Sequence, residues 1–266
     1  MPELPEVETI KRSLQKDIVG KTITDVVINK QKLFRGDPKD VIGKKILGIK
    51  RIGKMFLIDL EGELSLLIHL KMSGQLIWNN YLPGKTTHVI IKTDDGTLFF
   101  NDLRQFGWIR VIEAGSWKRE VGKLGPEPFT KEFTTEYLKK IFSKTSKAIK
   151  LVLLDQEKIS GIGNIYANDA LFEAGILPTR PAKSLTVKEI NNLKEGIIKV
   201  LEDGIKYGGS SAGDEAYIKP DGTKGNYQDH ARVYQKDGET CPRCGGIIRR
   251  INIAGRGTFF CPKCQH

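Results

Sequence analysis

The first 240 residues of this 266-residue chain contain no cysteine, and all four thiols fall in the last 26. A disulfide framework running through the whole chain is therefore excluded. Long apolar runs are also missing. None approaches the ~20 residues needed to cross a bilayer, and the longest candidate, around 64–70, is interrupted by His69. The start, MPELPEVETIKR, carries early acidic charges and no apolar h-region, so no secretory signal is expected. No internal repeat is visible, and acidic residues are spread along the chain rather than leaving one basic tail. The expectation is a soluble, cytoplasmic protein with no membrane partner. With 39% hydrophobic residues it is not a wholly disordered chain, and its length predicts two domains of ordinary size.

What is present begins with charge. The formal net charge of +11 favours polyanionic partners, although solvated lysines give the same surplus in proteins with no such partner. The cysteines say more. Cys241-Pro-Arg-Cys244 and Cys261-Pro-Lys-Cys264 form C-x2-C-x16-C-x2-C, the spacing of a four-thiolate zinc site. Two disulfides are the bland alternative, disfavoured without a secretion signal. A redox pair is disfavoured by the lack of any surrounding βαβ pattern. One structural Zn2+ on Cys241, Cys244, Cys261 and Cys264 is expected.

Between the knuckles, apolar residues at 247, 251, 253 and 259 predict two strands, with the turn supplied by Ala254-Gly255-Arg256-Gly257-Thr258. Glycines on both sides of Arg256 would hold its guanidinium at the tip, suited to a phosphate. The competing reading is a stapled hairpin with a solvated basic face.

Residues 1–129 read mostly as strands. Pro5 suits a first helical turn, and Val7, Ile10, Leu14 and Ile18 at helical spacing predict one amphipathic helix ending by Gly20. Short β-rich runs follow at 23–29, 45–52, 55–60, 64–70, 75–78, 88–93, 98–101 and 108–112, separated by turn residues. Many closely spaced strands indicate a sandwich or barrel. Gly125-Pro126-Glu127-Pro128 reads as a linker. Helical periodicity then appears at 134–142, 146–156, 164–173 and 186–207, and a Gly/Ser/Asp-rich stretch at about 208–229 reads as a mobile loop. The expected class is α+β: an N-terminal antiparallel β-sandwich with an opening helix (1–129), a helical domain carrying that loop (130–229), and a zinc hairpin (230–266).

Several residues could carry chemistry. Removal of Met1 would leave Pro2 as an N-terminal secondary amine. An α-amino group titrates near about 8, so roughly a tenth is neutral and nucleophilic at pH 7. Condensed with a sugar carbon, proline gives an iminium that is cationic at any pH, an electron sink for elimination. Glu3 beside it could move protons. Read from composition alone, proline and glutamate simply open a helix. Lys54 at a strand edge could reach a phosphate, although a single lysine is far more often solvated. Met72, in His69-Leu70-Lys71-Met72-Ser73-Gly74, and Phe106, in Asp102-Leu103-Arg104-Gln105-Phe106-Gly107, are each most simply core residues. With Arg104 they could instead wedge into the gap left by an extruded nucleotide. Gly161-Ile162-Gly163-Asn164 opens a helix whose amides suit phosphate, a weak signal when taken alone.

Taken together, in this order from residue 2 to residue 265, these segments resemble the formamidopyrimidine-DNA glycosylase (MutM-type) family of helix-two-turn-helix DNA glycosylases. Pro2-Glu3-Leu4-Pro5-Glu6-Val7-Glu8-Thr9 and the hairpin with Gly255-Arg256-Gly257-Thr258 carry the resemblance; Gly53-Lys54, His69 to Gly74, Asp102 to Gly107 and Gly161 to Ala170 support the register. The related endonuclease VIII branch has glycine where this chain has Leu4, which favours the oxidised-purine branch.

The resemblance implies a monomeric base-excision repair enzyme acting on damaged double-stranded DNA in a bacterial-type nucleoid. Pro2 would attack C1′, Glu3 would take part in proton transfer, and Lys54, Asn164 and Arg256 would grip phosphates, with His69 and Tyr234 assisting. Met72, Arg104 and Phe106 would enter the minor groove, Arg104 reading the orphaned cytosine. One region departs from the family: Ser211-Ala212-Gly213-Asp214-Glu215-Ala216-Tyr217, in the loop expected to cover the extruded base, is about two residues longer and lacks the usual Arg. Two rival readings stand beside this one. A non-catalytic zinc protein could hold DNA, or the same machinery could act on oxidised pyrimidines.

Overall fold

The computed structural model describes residues 1–79, 81–211 and 217–266, so most of the lengthened loop, 212–216, lies outside the described residues. The chain forms two compact units: 1–122 with 205–227, and 123–204 with 228–266. This grouping differs from the three consecutive segments read from composition.

The first unit opens with α1 (Leu4–Ile18). Val7, Ile10, Leu14 and Ile18 form its buried stripe, as helical spacing requires. Glu6 in the first turn accepts a hydrogen bond from the Glu3 backbone N–H at 2.8 Å, satisfying a donor the helix leaves open. Among the described residues nine strands follow: β1 (Ile23–Ile28), β2 (Phe34–Arg35), β3 (Ile46–Ile52), β4 (Met55–Leu60), β5 (Leu64–His69), β6 (Gly74–Trp78), β7 (Thr87–Thr93), β8 (Gly96–Asp102) and β9 (Trp108–Glu113). They make a four-stranded sheet, β1-β7-β8-β6, and a five-stranded sheet, β2-β9-β5-β4-β3. Phe56, Ile58, Leu66, Ile68, Leu76, Val89 and Phe100 pack together in the core with the stripe of α1.

The expected antiparallel sandwich needs one correction. β2 runs parallel to β9, pairing Phe34 with Ile109. Two residues in β2 and five in the short α2 (Trp117–Val121) are too few to show a period, so neither is visible as a pattern in the sequence.

Segment 205–227 also departs from expectation, because its described flanks are bonded into the β unit. Ser210 N–H donates to Glu6 Oε1 at 2.8 Å, Trp78 N–H donates to the Pro220 carbonyl at 2.9 Å, and Tyr217 joins the sandwich core.

The second unit contains α3 (Thr135–Phe142), α4 (Ile149–Leu154), α5 (Asn164–Ala174) and α6 (Val187–Lys206), with short α7 (Tyr227–His230) at its boundary and the hairpin β10 (Arg249–Ile253) and β11 (Arg256–Phe260). Thr134 caps α3 by accepting from Tyr137 N–H at 3.0 Å. Gly175, at φ 71°, ends α5 in the left-handed region where a side chain is disfavoured.

In the hairpin, Ala254 (φ 48°) and Gly255 (φ 78°) form a two-residue turn, and Arg256 is the first residue of β11, opposite Ile253. Arg256 therefore stands beside the turn rather than at its tip. Among the described residues, no helix is long and apolar enough to cross a membrane.

Candidate active site and metal centre

The first unit sets Lys54 and His69, with the turn carrying Met72 and the loop carrying Arg104 and Phe106, at one end of the five-stranded sheet. Strand register sets Met55, His69 and Trp108 side by side across β4, β5 and β9, with Lys54 in the turn just before β4. Arg51, near the end of β3, ties this end to the start of the chain. Its guanidinium meets Glu8 of α1 at 3.0 Å and donates to the Gly53 carbonyl at 3.0 Å. Pro2 and Glu3 are buried at the entrance of α1, beneath Met1, which is 41% exposed. The residue whose removal would bare the proline nitrogen is therefore the one facing solvent.

Lys54 is buried, unlike an ordinary solvated lysine. His69 accepts from Lys71 N–H through Nδ1 at 3.0 Å and packs edge-on to Trp108. Burial holds its pKa down to about 3, reinforced by the Lys71 and Lys54 charges. A neutral ring that accepts at Nδ1 carries its proton on Nε2, so His69 presents a donor.

The expected wedge residues are organised by an aspartate. Asp102, fully buried, accepts from Ser73 Oγ at 2.6 Å, Gly107 N–H at 2.6 Å and Arg104 N–H at 3.2 Å. It thus clamps the 69–74 turn to the 102–107 loop. Arg104 and Phe106 project from that loop exposed, the guanidinium 5.2 Å from the ring centroid, and Met72 is half-buried nearby in sequence to Ser73. Gly107 cannot carry a side chain: a Cβ there would stand 2.8 Å from Phe100 and 3.0 Å from the His69 carbonyl.

In the second unit, α5 holds the hairpin. Asn168 Oδ1 accepts from Phe259 N–H at 2.8 Å, and Asn164 Nδ2 donates to the Gly257 carbonyl at 3.2 Å. One Asn164 N–H is therefore taken by the hairpin, while its Oδ1 is buried with no hydrogen-bond partner. Asp169 accepts from the backbones of Arg232, Val233 and Tyr234 at 2.9, 3.0 and 3.1 Å, fixing Tyr234, whose ring packs on Phe259. Lys150 of α4 is fully buried and donates to the Gly257 carbonyl and Thr258 Oγ1, both at 2.8 Å. Arg256 is exposed on this braced strand.

Asp102, Lys150, Asn168 and Asp169 were not singled out from sequence. Lys150 left one signal, a lone charge within the apolar helix IKLVLL. Asp102 left only its place at the head of a turn.

The four cysteines converge. Their sulfurs all lie within 4.8 Å of one another, with Cys241 and Cys264 3.8 Å apart and Cys244 and Cys261 3.5 Å apart. Zinc–sulfur bonds of about 2.3 Å at tetrahedral angles separate sulfurs by about 3.8 Å, so the donor set fits one Zn2+. Burial pushes the Cys261 and Cys264 thiols up, whereas the Gly246 backbone hydrogen bond and the neighbouring thiols bring Cys244 down to about 7. Among the described residues no disulfide forms.

This geometry has known counterparts. Family models match in succession: the formamidopyrimidine-DNA glycosylase N-terminal domain over residues 1–109, its H2TH domain over 124–215, and a zinc finger found in FPG and IleRS over 238–266. A curated formamidopyrimidine-DNA glycosylase of Carboxydothermus hydrogenoformans is 44% identical over the full length of both chains. The chain belongs to the formamidopyrimidine-DNA glycosylase family. Among solved family structures, MutM of Thermus thermophilus superposes with TM-score 0.93 at 38% identity, covering 99% of this chain and 98% of that one. Lactococcus lactis Fpg, solved in complex with DNA containing an abasic site, superposes with TM-score 0.93 at 36% identity over 99% of each chain. The zinc-finger match and the clustered thiolates together assign one structural Zn2+ to this member of the family.

Proposed function

We propose that the chain is a monomeric, nucleoid-associated DNA glycosylase and abasic-site lyase of base excision repair. Its substrates are oxidised purines, 8-oxoguanine and formamidopyrimidines, in duplex DNA. Support comes from the full-length relationship to a formamidopyrimidine-DNA glycosylase, joined to the position of Pro2 at the entrance of α1 under a solvent-facing Met1.

With Met1 removed, the Pro2 nitrogen attacks C1′ of the damaged nucleoside and the C1′–N bond to the base breaks, the base leaving with a proton. The ring oxygen is then released and a cationic iminium remains. Loss of a C2′ proton expels the 3′-phosphate, and a further elimination expels the 5′-phosphate. Glu3 moves the protons. Lys54, His69, Asn164, Tyr234 and Arg256 bind the backbone around the extruded nucleotide. Met72, Arg104 and Phe106 fill the vacated stack, offsetting the few kcal/mol that extrusion costs. The zinc site keeps the hairpin folded and takes no part in bond breaking.

Borohydride treatment of the protein with a duplex carrying 8-oxoguanine opposite cytosine should trap a covalent adduct on Pro2. No adduct on this duplex or an abasic one, with intact mass showing Met1 removed, would overturn the mechanism. That result would leave a non-catalytic DNA-binding protein.

A further inference from the structure

A second feature of the helical unit has no part in this chemistry. Between α3 and α4 lies a pocket of about 200 Å³ whose apolar wall comes from Tyr137, Ile141, Leu151 and Val152. Lys140, Lys144, Lys147 and Lys158 also line it, and all four are exposed. Among the described residues none of these four ammonium groups makes an ion pair or side-chain hydrogen bond. The one acid in the lining, Asp155, has a carboxylate oxygen engaged by the Glu157 N–H at 3.1 Å. The Tyr137 hydroxyl donates to the Lys158 carbonyl at 2.8 Å and ties α3 to the segment after α4.

The pocket faces away from the hairpin. Lys150 of α4 reaches Gly257, whereas Leu151 and Val152, one and two residues on, are turned about 100° and 200° from it around the helix. A ligand here would not compete with groups that contact Arg256.

We propose that this pocket is a docking site for an acidic peptide segment of a partner protein. One or two large apolar side chains of the peptide fill the cavity, and flanking carboxylates meet the lysines. Charge complementarity argues for acid, since four unpaired cations surround one engaged carboxylate. The apolar wall of Tyr137, Ile141, Leu151 and Val152 argues for peptide over nucleic acid, because aliphatic and aromatic side chains of a peptide desolvate that wall where a sugar–phosphate backbone does not. The volume, below that of a drug-sized site, sets the number of anchors at one or two.

The test uses the full chain and a fluorescein-labelled decapeptide of aspartates carrying one Leu and one Phe, read by fluorescence anisotropy. Binding is expected, with a loss of about tenfold for K144E/K147E, equivalent to two screened ion pairs. A peptide with serine in place of Leu and Phe should lose binding, and an unmodified DNA duplex should leave the labelled peptide bound. Amide NMR shifts confined to 137–158 would place the site independently of the variants. Equal affinity of the serine peptide, displacement by duplex DNA, or undiminished binding by a folded K144E/K147E would overturn the proposal.

Discussion

Asp102 is the group on which the expected wedge depends, and Asp102→Asn isolates its charge at constant shape. The carboxylate accepts three hydrogen bonds in a site with no solvent exposure. An asparagine keeps one oxygen. If that oxygen faces Ser73 and Arg104, the new NH2 group confronts Gly107 N–H; if it is flipped, it confronts Arg104 N–H. Either way one charge-assisted bond is lost and two donors face each other, a cost of about 2–3 kcal/mol. For a chain of this size each kcal/mol lowers Tm by about 2–4 °C, so the expected drop is roughly 4–12 °C by calorimetry. Affinity for a duplex with a tetrahydrofuran abasic analogue should fall further than the folded fraction does, because the loop bearing Arg104 and Phe106 loses its clamp. The double variant S73A/D102N should be less damaging than the two singles combined, as expected of direct partners. A D102N protein melting within about 1 °C of the parent, with unchanged affinity for that duplex, would refute the reasoning.

Two further outcomes follow from the site geometry. Purified protein should carry one zinc per chain. Chelation should release it, free four thiols to a thiol reagent and melt the small cluster of Phe172, Val233, Ile248 and Phe259; protein with no zinc and no titratable thiols would contradict the metal site. His69 should remain neutral by imidazole NMR from pH 7 down to about pH 4, because its pKa is held at about 3. Since that value lies below the unfolded 6.5, protonation favours unfolding, so stability is intact above about pH 6.5 and declines as pH falls toward 3. His69→Gln should flatten that part of the Tm profile, and an unchanged slope would assign it to other groups.

The sequence by itself determined whatever is written at short range. Met55–Leu60 is legible as a strand because turn residues bound an apolar run, and α1 because its buried stripe repeats every three or four residues. The metal site is legible because a tetrahedral ion constrains the spacing within each knuckle, leaving only the fold between knuckles to be supplied.

Only the tertiary structure decided the rest. Asp102 reads as an ordinary turn residue until Ser73, 29 positions earlier, is brought against it. Glu6 reads as a helix-opening acid until Ser210, 204 positions later, donates to it and draws its segment into the β unit. Lys150 reads as one more basic residue until the hairpin, 107 positions on, encloses its ammonium group. Arg256 sits beside its turn because strand register pairs it with Ile253 and leaves Ala254 and Gly255 as the two turn residues. Periodicity reports which face of an element is apolar, but a buried polar group is explained by its partner, and pairing across such distances leaves no periodic trace.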